Sequence, residues 1–399
     1  MATFSTSFLG CKVSFADAQA VRERLLAGGH AEGDARDAEV QVVNTCCVTH
    51  EAVSKSRQAV SRAARTARVV YATGCASRLD GALDGIADNV VVTARTGDAA
   101  AALVAGDVGA IACVNAEHRL DRVRAFVKIQ DGCSFGCAFC VIPLVRGATR
   151  SRSAEAVLSE ARRRVTQGHR EIVLTGVNLG CFRDREAGYA LPGLLREVGA
   201  IPGLERLRLS SIELNHVTPD LVAAIRETPT VAPHLHVPLQ SGDDAVLRAM
   251  RRRYSAAQAV ARLEPLAADL NLTTDVIVGF PGEDEAAFAR TLALVERVGA
   301  TRVHVFPYSP RPGTRTALDD TVSPAEKRER GARLRALSDE LCARRWARHV
   351  GALERVLVDR PGRGYAADYS PWLVDGAVGS FVTARAVRVV PEGVLAVAA

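Results

Sequence analysis

Cys133-Ser-Phe-Gly-Cys137-Ala-Phe-Cys140 follows directly on the strand-like run Ala125–Ile129, and that junction decides how the rest of the chain is read. Three thiolates with three and two residues between them can wrap one face of a four-iron cluster, whose irons need four ligands. One iron is then left without a protein ligand. An open iron is what S-adenosylmethionine needs, because its amino and carboxylate groups chelate there while the cluster passes an electron into the sulfonium. Zinc, which would want a fourth protein ligand close by, and buried free cysteines are the other readings of the same spacing.

Working outward, a second set of cysteines is spread through the first hundred residues: Cys11, Cys46 and Cys75. Each follows an apolar run that reads as a strand (Phe4–Leu9, Val40–Val43, Arg68–Ala72), with helix-like stretches at Asp17–Ala27 and Glu51–Arg65 between them. This alternation predicts an open parallel sheet, whose carboxyl strand ends share one crevice. Three distant cysteines at equivalent strand ends would converge there, beside Gly10 and Gly74, on a second cluster. Three buried small apolar residues is the competing reading. Cys47 would turn away from that site if the chain is still extended. Cys113, Cys181 and Cys342 have no partners at useful spacing and read as spectators.

A linker rich in Ala, Gly and Val at 97–117 ends this pattern. Beyond it, strand-like runs near Ala125–Ile129, Glu171–Leu174, Arg206–Leu209, His234–Val237, Thr274–Val278 and Arg302–Phe306 alternate with helices, which predicts a partial (βα)6 barrel. After the polar helix Pro324–His349 come short β-like pieces (Glu354–Val358, Leu373–Val374, Phe381–Val387, Val394–Val397), enough for a small β-barrel. The expected fold is therefore α/β in three domains, 1–105, 119–348 and 350–399.

The chain has 399 residues, ten of them cysteine, and a net charge of +6. No apolar stretch approaches the ~20 residues of a membrane span, and the first thirty residues show no signal peptide. The expected location is the cytoplasm, where thiols stay reduced and serve as ligands rather than disulfides. The positive excess lies in the middle segment and includes Arg248, Arg251, Arg252 and Arg253. Such a run suits a polyanion such as RNA, or is simply a solvated face. The tail is electrically neutral, so RNA binding there would need local arginines (Arg360, Arg363, Arg385, Arg388) with Tyr365, Tyr369 and Trp372 as stacking surfaces or as core.

Taken in order, LGCKV at Leu9–Val13, NTC at Asn44–Cys46, TGC at Thr73–Cys75, DGCSFGCAFC, HVPLQSGDDAVLRAM at His236–Met250, DVIVGFPGE at Asp275–Glu283 and FPYSPRPGT at Phe306–Thr314 resemble the radical S-adenosylmethionine methylthiotransferases. The tail resembles the small RNA-binding barrel called TRAM. The resemblance implies two 4Fe-4S clusters and S-adenosylmethionine as cofactors. Cys133, Cys137 and Cys140 would hold the radical-generating cluster, and Cys11, Cys46 and Cys75 the auxiliary cluster that carries the sulfur. Thr175, Gly176 and Asn178 would meet the methionine amino group, Ser210, Ser211 and Glu213 the ribose, and Val276 and Gly279 the adenine, with Gln240 at a strand end facing the same opening.

Within the family, Gly10-Cys11-Lys12-Val13 and Leu174-Thr-Gly-Val-Asn-Leu-Gly180 are similar to the branch that methylthiolates C2 of N6-threonylcarbamoyladenosine at position 37 of tRNA. Partners implied are tRNA and a low-potential electron donor. Ser14, Cys47, Leu144 and Asn215 depart from the usual pattern without removing a cluster ligand. Isopentenyladenosine in tRNA and a ribosomal-protein aspartate are the alternative targets. A non-catalytic iron–sulfur RNA-binding protein is the alternative class.

Overall fold

The computed structural model describes residues 2–93 and 123–399. The 97–117 linker, the boundaries expected at 105 and 119, and Cys113 lie outside the described residues. Two compact units emerge: one takes the described part of Met1–His118 with Asp131–Arg150 and Ser309–Ala317, the other the rest. Among the described residues no helix is long and apolar enough to cross a membrane.

In the first unit, β1 (Thr3–Phe8), β2 (Ala31–Glu32), β3 (Val40–Thr45), β4 (Val69–Gly74) and β5 (Val90–Val92) form a parallel sheet in the order β2-β1-β3-β4-β5. Central β3 is buried along its whole length, as expected of a strand covered on both faces. The sequence pattern picks out β1, β3 and β4 and misses β2 and β5, because two or three residues are too few to show a period. Helix α1 (Lys12–Ala27) begins five residues earlier than the pattern suggests. Its N-cap is Cys11, which makes no capping bond, so the usual Ser, Thr or Asp start signal is absent. Helix α2 (His50–Ala64) has that signal: the Thr49 hydroxyl accepts from Ala52 N at 3.1 Å. The short helix α3 (Ile142–Arg146), just beyond the cysteine loop, places Val145 in the same apolar cluster as Val43, Val70 and Ala72.

The second unit holds six parallel strands, β6 (Arg124–Asp131), β7 (Glu171–Gly176), β8 (Arg206–Leu209), β9 (His234–His236), β10 (Asn271–Val278) and β11 (Ala300–Pro307). They form two sheets, β8-β7-β6 and β9-β10-β11, linked by the parallel bridges Leu207↔Val231 and Ser211↔His236. The pleat sorts their side chains. Val127, Ile129, Ile172, Leu174, Leu207, Leu209, Leu272, Val276 and Val278 pack against covering-helix residues such as Leu194, Ala224 and Phe288. The alternate positions point to the barrel interior.

At the amino ends of these strands the interior is filled with charge. Buried Glu171 meets Arg208 at 2.9 Å, Arg206 at 3.3 Å and Arg124 at 3.6 Å. Arg206 donates to Tyr365 O and Arg208 to Ala366 O and Ala367 O, which joins the barrel floor to the tail. The tail is a closed five-stranded barrel of β12 (Leu353–Arg360), β13 (Arg363–Tyr365), β14 (Pro371–Leu373), β15 (Phe381–Val390) and β16 (Gly393–Ala398). Trp372 is fully buried in its core beside Trp346 of helix α4 (Pro324–Ala347), so it is not a stacking surface for RNA. Tyr365 and Tyr369 lie 5.0 Å apart, both under the Arg124 guanidinium. Their rings are thus engaged by the protein.

A buried ion cluster fastens α4 to the tail barrel. Asp368 Oδ2 accepts from Arg345 Nε at 3.1 Å and lies 3.1 Å from His349 Nε2. Burial opposes the charged imidazole, but Asp368 and Glu354 outweigh it and lift the His349 pKa to about 9 from 6.5. Because the folded value is the higher one, this stabilisation is fully present below pH 6.5 and is lost as pH rises through 9. Urea unfolding of the full chain should therefore show stability falling by up to ~3 kcal/mol between those values, with His349→Gln flattening that slope.

Candidate functional site

Parallel strands in register carry their next residues to one edge. Phe8 pairs with Asn44 and Thr45 with Gly74, so Cys11, Cys46 and Cys75, which follow β1, β3 and β4, come to neighbouring strand ends. The approach is close enough to require glycine. A Cβ at Gly10 (φ +109°) would lie 3.0 Å from Cys46 Sγ, and one at Gly74 (φ +99°) 2.3 Å from Asn44 Oδ1.

The thiols also share one electrostatic field. Burial pushes the Cys46 thiol up to about 11, with Cys75 and Cys11 adding to the rise. Cys75 is drawn down to about 6, first by a hydrogen bond from the Cys47 thiol and then, against burial, by Arg146. Cys47 corrects the reading of a spectator turned away: it is a fully buried free thiol, hydrogen-bonded to Cys75. The chain leaves the extended state just after Thr45, so strand alternation no longer sets its direction.

Arg146, which the sequence reading passed over, organises this edge. Its guanidinium donates to Cys75 Sγ at 3.1 Å, Asp17 Oδ2 at 3.0 Å and Asp131 Oδ1 at 3.0 Å. The available signal was an arginine six residues beyond Cys140, yet its partners are 15 to 129 residues away in sequence. The loop of Cys133, Cys137 and Cys140 belongs to the same unit, and all three thiols are partly exposed. Cys133 N donates to Gly147 O at 3.0 Å and Cys140 N to Cys137 O at 3.1 Å, which holds the loop folded back.

The remaining expected residues belong to the second unit, at the carboxyl ends of β7, β8 and β10 and the bend after β9. Thr175 Oγ1 and Ser210 Oγ are buried and have no hydrogen-bond partner among the described residues. Asn178 N donates to Gln130 Oε1 at 2.7 Å. Ser211 Oγ lies 2.8 Å from His236 Nδ1. Glu213 is held by Arg252 at 3.2 Å, and Gly279 N by Glu283 Oε1 at 2.7 Å. Val276 turns its side chain into the apolar core, so only its backbone faces Gln240. Gln240 itself has φ +69°, a left-handed conformation that non-glycine residues avoid unless the surroundings enforce it. Here Gln240 N donates to Asp275 O at 2.8 Å and Gln240 O accepts from Ile277 N at 2.9 Å.

Comparisons with known proteins agree with this geometry. The radical SAM superfamily model matches residues 127–295, and the model described as Uncharacterized protein family UPF0004 matches residues 3–92. The threonylcarbamoyladenosine tRNA methylthiotransferase MtaB of Bacillus subtilis (strain 168) is 36% identical over 366 residues, covering 86% of this chain and 81% of that protein. Its namesake in Thermotoga maritima is 33% identical over 421 residues, covering 99% and 96%. The chain belongs to the radical SAM tRNA methylthiotransferases. A tRNA-2-methylthio-N(6)-dimethylallyladenosine synthase of Sorangium cellulosum (strain So ce56) is 35% identical over 415 residues, covering 90% and 82%. The radical S-adenosylmethionine methyltransferase TsrM of Kitasatospora setae, solved with cobalamin and a 4Fe-4S cluster, shares the fold at TM-score 0.57 and 15% identity, covering 90% of this chain and 82% of its own.

A methylthiotransferase of this family works with S-adenosylmethionine and two 4Fe-4S clusters. The residues present fit them. Asn44 Oδ1 and Thr73 Oγ1 in the first unit, like Thr175 Oγ1 and Ser210 Oγ in the second, are buried polar atoms left for a bound group to satisfy. The basic run needs one revision: Arg248, Arg251 and Arg253 are exposed, whereas Arg252 turns inward to Pro238 O and Glu213.

The weight resting on Arg146 is measurable without cofactors. Arg146→Ala leaves the Asp17 carboxylate buried without its counter-charge and should lower the unfolding free energy by ~3–5 kcal/mol in denaturant titration. Arg150→Ala, at a partly solvated neighbour, should change it by less than ~1 kcal/mol.

Proposed function

We propose that this methylthiotransferase acts on N6-threonylcarbamoyladenosine at position 37 of tRNA, placing a methylthio group on C2 of the base. In this reading Cys133, Cys137 and Cys140 hold the cluster that S-adenosylmethionine binds, and Cys11, Cys46 and Cys75 hold the second. The observation that carries it is the convergence of those last three thiols at neighbouring parallel strand ends, in one unit with the C-x3-C-x2-C loop. The two relatives named above as MtaB proteins, matched over most of their length, support the choice of base.

When bound, the clusters and S-adenosylmethionine supply the one-electron chemistry that an adenine C2–H bond, too weakly acidic for any side-chain base, requires. The protein's own contribution is placement. Cys47 and then Arg146 lower the Cys75 thiol, and Arg146 ties it to the segment that begins the cysteine loop. Thr175, Gly176 and Asn178 meet the methionine end of the cofactor, Ser210, Ser211 and Glu213 its ribose, and Gln240, Val276 and Gly279 its base by backbone contacts. Their hydroxyls and amides replace the water that an open site would admit. Exposed Arg248, Arg251 and Arg253, with Arg360, Arg385 and Arg388 of the tail, give the RNA backbone its counter-charges. The enzyme works in the cytoplasm with a low-potential electron donor.

Anaerobic reconstitution tests the assignment. Wild type should hold about eight irons, and the variant Cys133→Ala/Cys137→Ala/Cys140→Ala about half as many. With reductant, S-adenosylmethionine and tRNA, nucleoside mass spectrometry should find 2-methylthio-N6-threonylcarbamoyladenosine for wild type alone. Product on dimethylallyladenosine instead would replace the substrate while leaving the cluster assignment standing; four irons in wild type would remove the second cluster.

A further inference from the structure

Four consecutive strands of the second unit carry a polar relay, of which the cofactor assignment uses only Ser211. Ser211, just past β8, lies with Oγ 2.8 Å from His236 Nδ1 on β9. His236 Nε2 stands 3.1 Å from Asp275 Oδ1 on β10. Asp275 is the register partner of His304 on β11, and the two imidazole rings are 5.5 Å apart. Side-chain atoms of His236, Asp275 and His304 all fall within 4.8 Å of one another.

Strand alternation places these groups on the interior side, since Leu235, Val276 and Val303 beside them join the apolar core. Below them the interior is closed by Glu171 and its arginines; His234 bonds Thr273 Oγ1 at 3.0 Å one layer down. Above them lie Ser210, Gln240 and Gly279. His304 is exposed, and His236 Nε2, though near Asp275, makes no aligned hydrogen bond among the described residues. A pocket wall with imidazole donors beside a carboxylate acceptor suits a ligand that is both anionic and hydroxylated. An apolar dimethylallyl group on the same wall would strand these groups without water or partner.

Building on the substrate reading above, we propose that His236, Asp275 and His304 form the subsite for the threonyl part of the N6 substituent. The imidazoles donate to its carboxylate and Asp275 accepts from its hydroxyl. Ser211 is a positioning residue: its bond to Nδ1 fixes the His236 ring with Nε2 on the Asp275 side of the subsite. These side chains then read the modification, while the S-adenosylmethionine contacts one layer above serve any substrate.

The test uses the reconstituted holoenzyme and two tRNA probes: one bearing N6-threonylcarbamoyladenosine, the other the same nucleoside with its carboxylate cyclised onto the carbamoyl nitrogen. His304→Phe should raise KM about tenfold on the first probe, the size of one charge-assisted hydrogen bond, with His304→Gln recovering most of it. Cyclisation should cost wild type a similar factor, and the two losses should not multiply. Losses that do multiply, or a kcat effect with KM unchanged, would overturn the subsite. So would one equivalent of zinc bound by wild-type holoenzyme and absent from His304→Phe, which would make the cluster a metal site. Failure of wild type itself on the first probe, with activity on dimethylallyladenosine, would fault the substrate reading instead.

Discussion

A single buried guanidinium holds the thiol-bearing edge of the first unit together. Arg146 has three partners within 3.1 Å, one a thiol and two carboxylates, contributed by β4's end, α1 and the residue that opens the cysteine loop. Burial penalises each of these charges, and the site persists because the guanidinium lies within hydrogen-bond distance of both carboxylates. The Cys75 thiol is drawn down by a hydrogen bond from Cys47 and then by Arg146, against burial and the Asp17 carboxylate.

The second unit solves a different problem with the same means. Its barrel floor is sealed by Glu171 and three arginines, of which Arg206 and Arg208 bond tail carbonyls and Arg124 bonds Tyr369 and Asp359, and its wall is apolar toward the helices. What is left for chemistry is the carboxyl end of the strands, where Thr175 and Ser210 keep buried hydroxyls unsatisfied and Gln240 is held in a left-handed backbone. Paired charge fills the lower end, and the hydroxyls of Thr175 and Ser210, without a partner among the described residues, stand at the upper. That division is the usual one in barrels of this kind, where the lower face reads as structure and the upper as function.

The tail shows how ambiguous an aromatic residue is until its surroundings are known. Tyr365, Tyr369 and Trp372 sit in a segment expected to bind RNA, but a small barrel must first fill its own core, and Trp372 does so. The two tyrosines pack with Arg124 and Arg208 at the barrel floor. The tail arginines Arg360, Arg385 and Arg388, by contrast, remain exposed.

Much was legible in the residues alone. The C-x3-C-x2-C spacing, the three cysteines each trailing an apolar run, and the repeated strand–helix alternation are local or periodic signals, and they determined the α/β architecture and its cysteine-bearing strand ends before any coordinate was known. Short strands such as Ala31–Glu32 and an uncapped helix start at Cys11 carry too little local signal to be read. Tertiary structure alone decided that Cys47 meets Cys75, that Arg252 turns inward while its neighbours do not, and that Arg146 reaches Asp17 across 129 residues. It also decided that His236, Asp275 and His304 share one wall. The reason is physical: periodicity records which way a side chain points relative to its own strand, whereas partnership between distant side chains is set by strand order and register, which no single segment encodes.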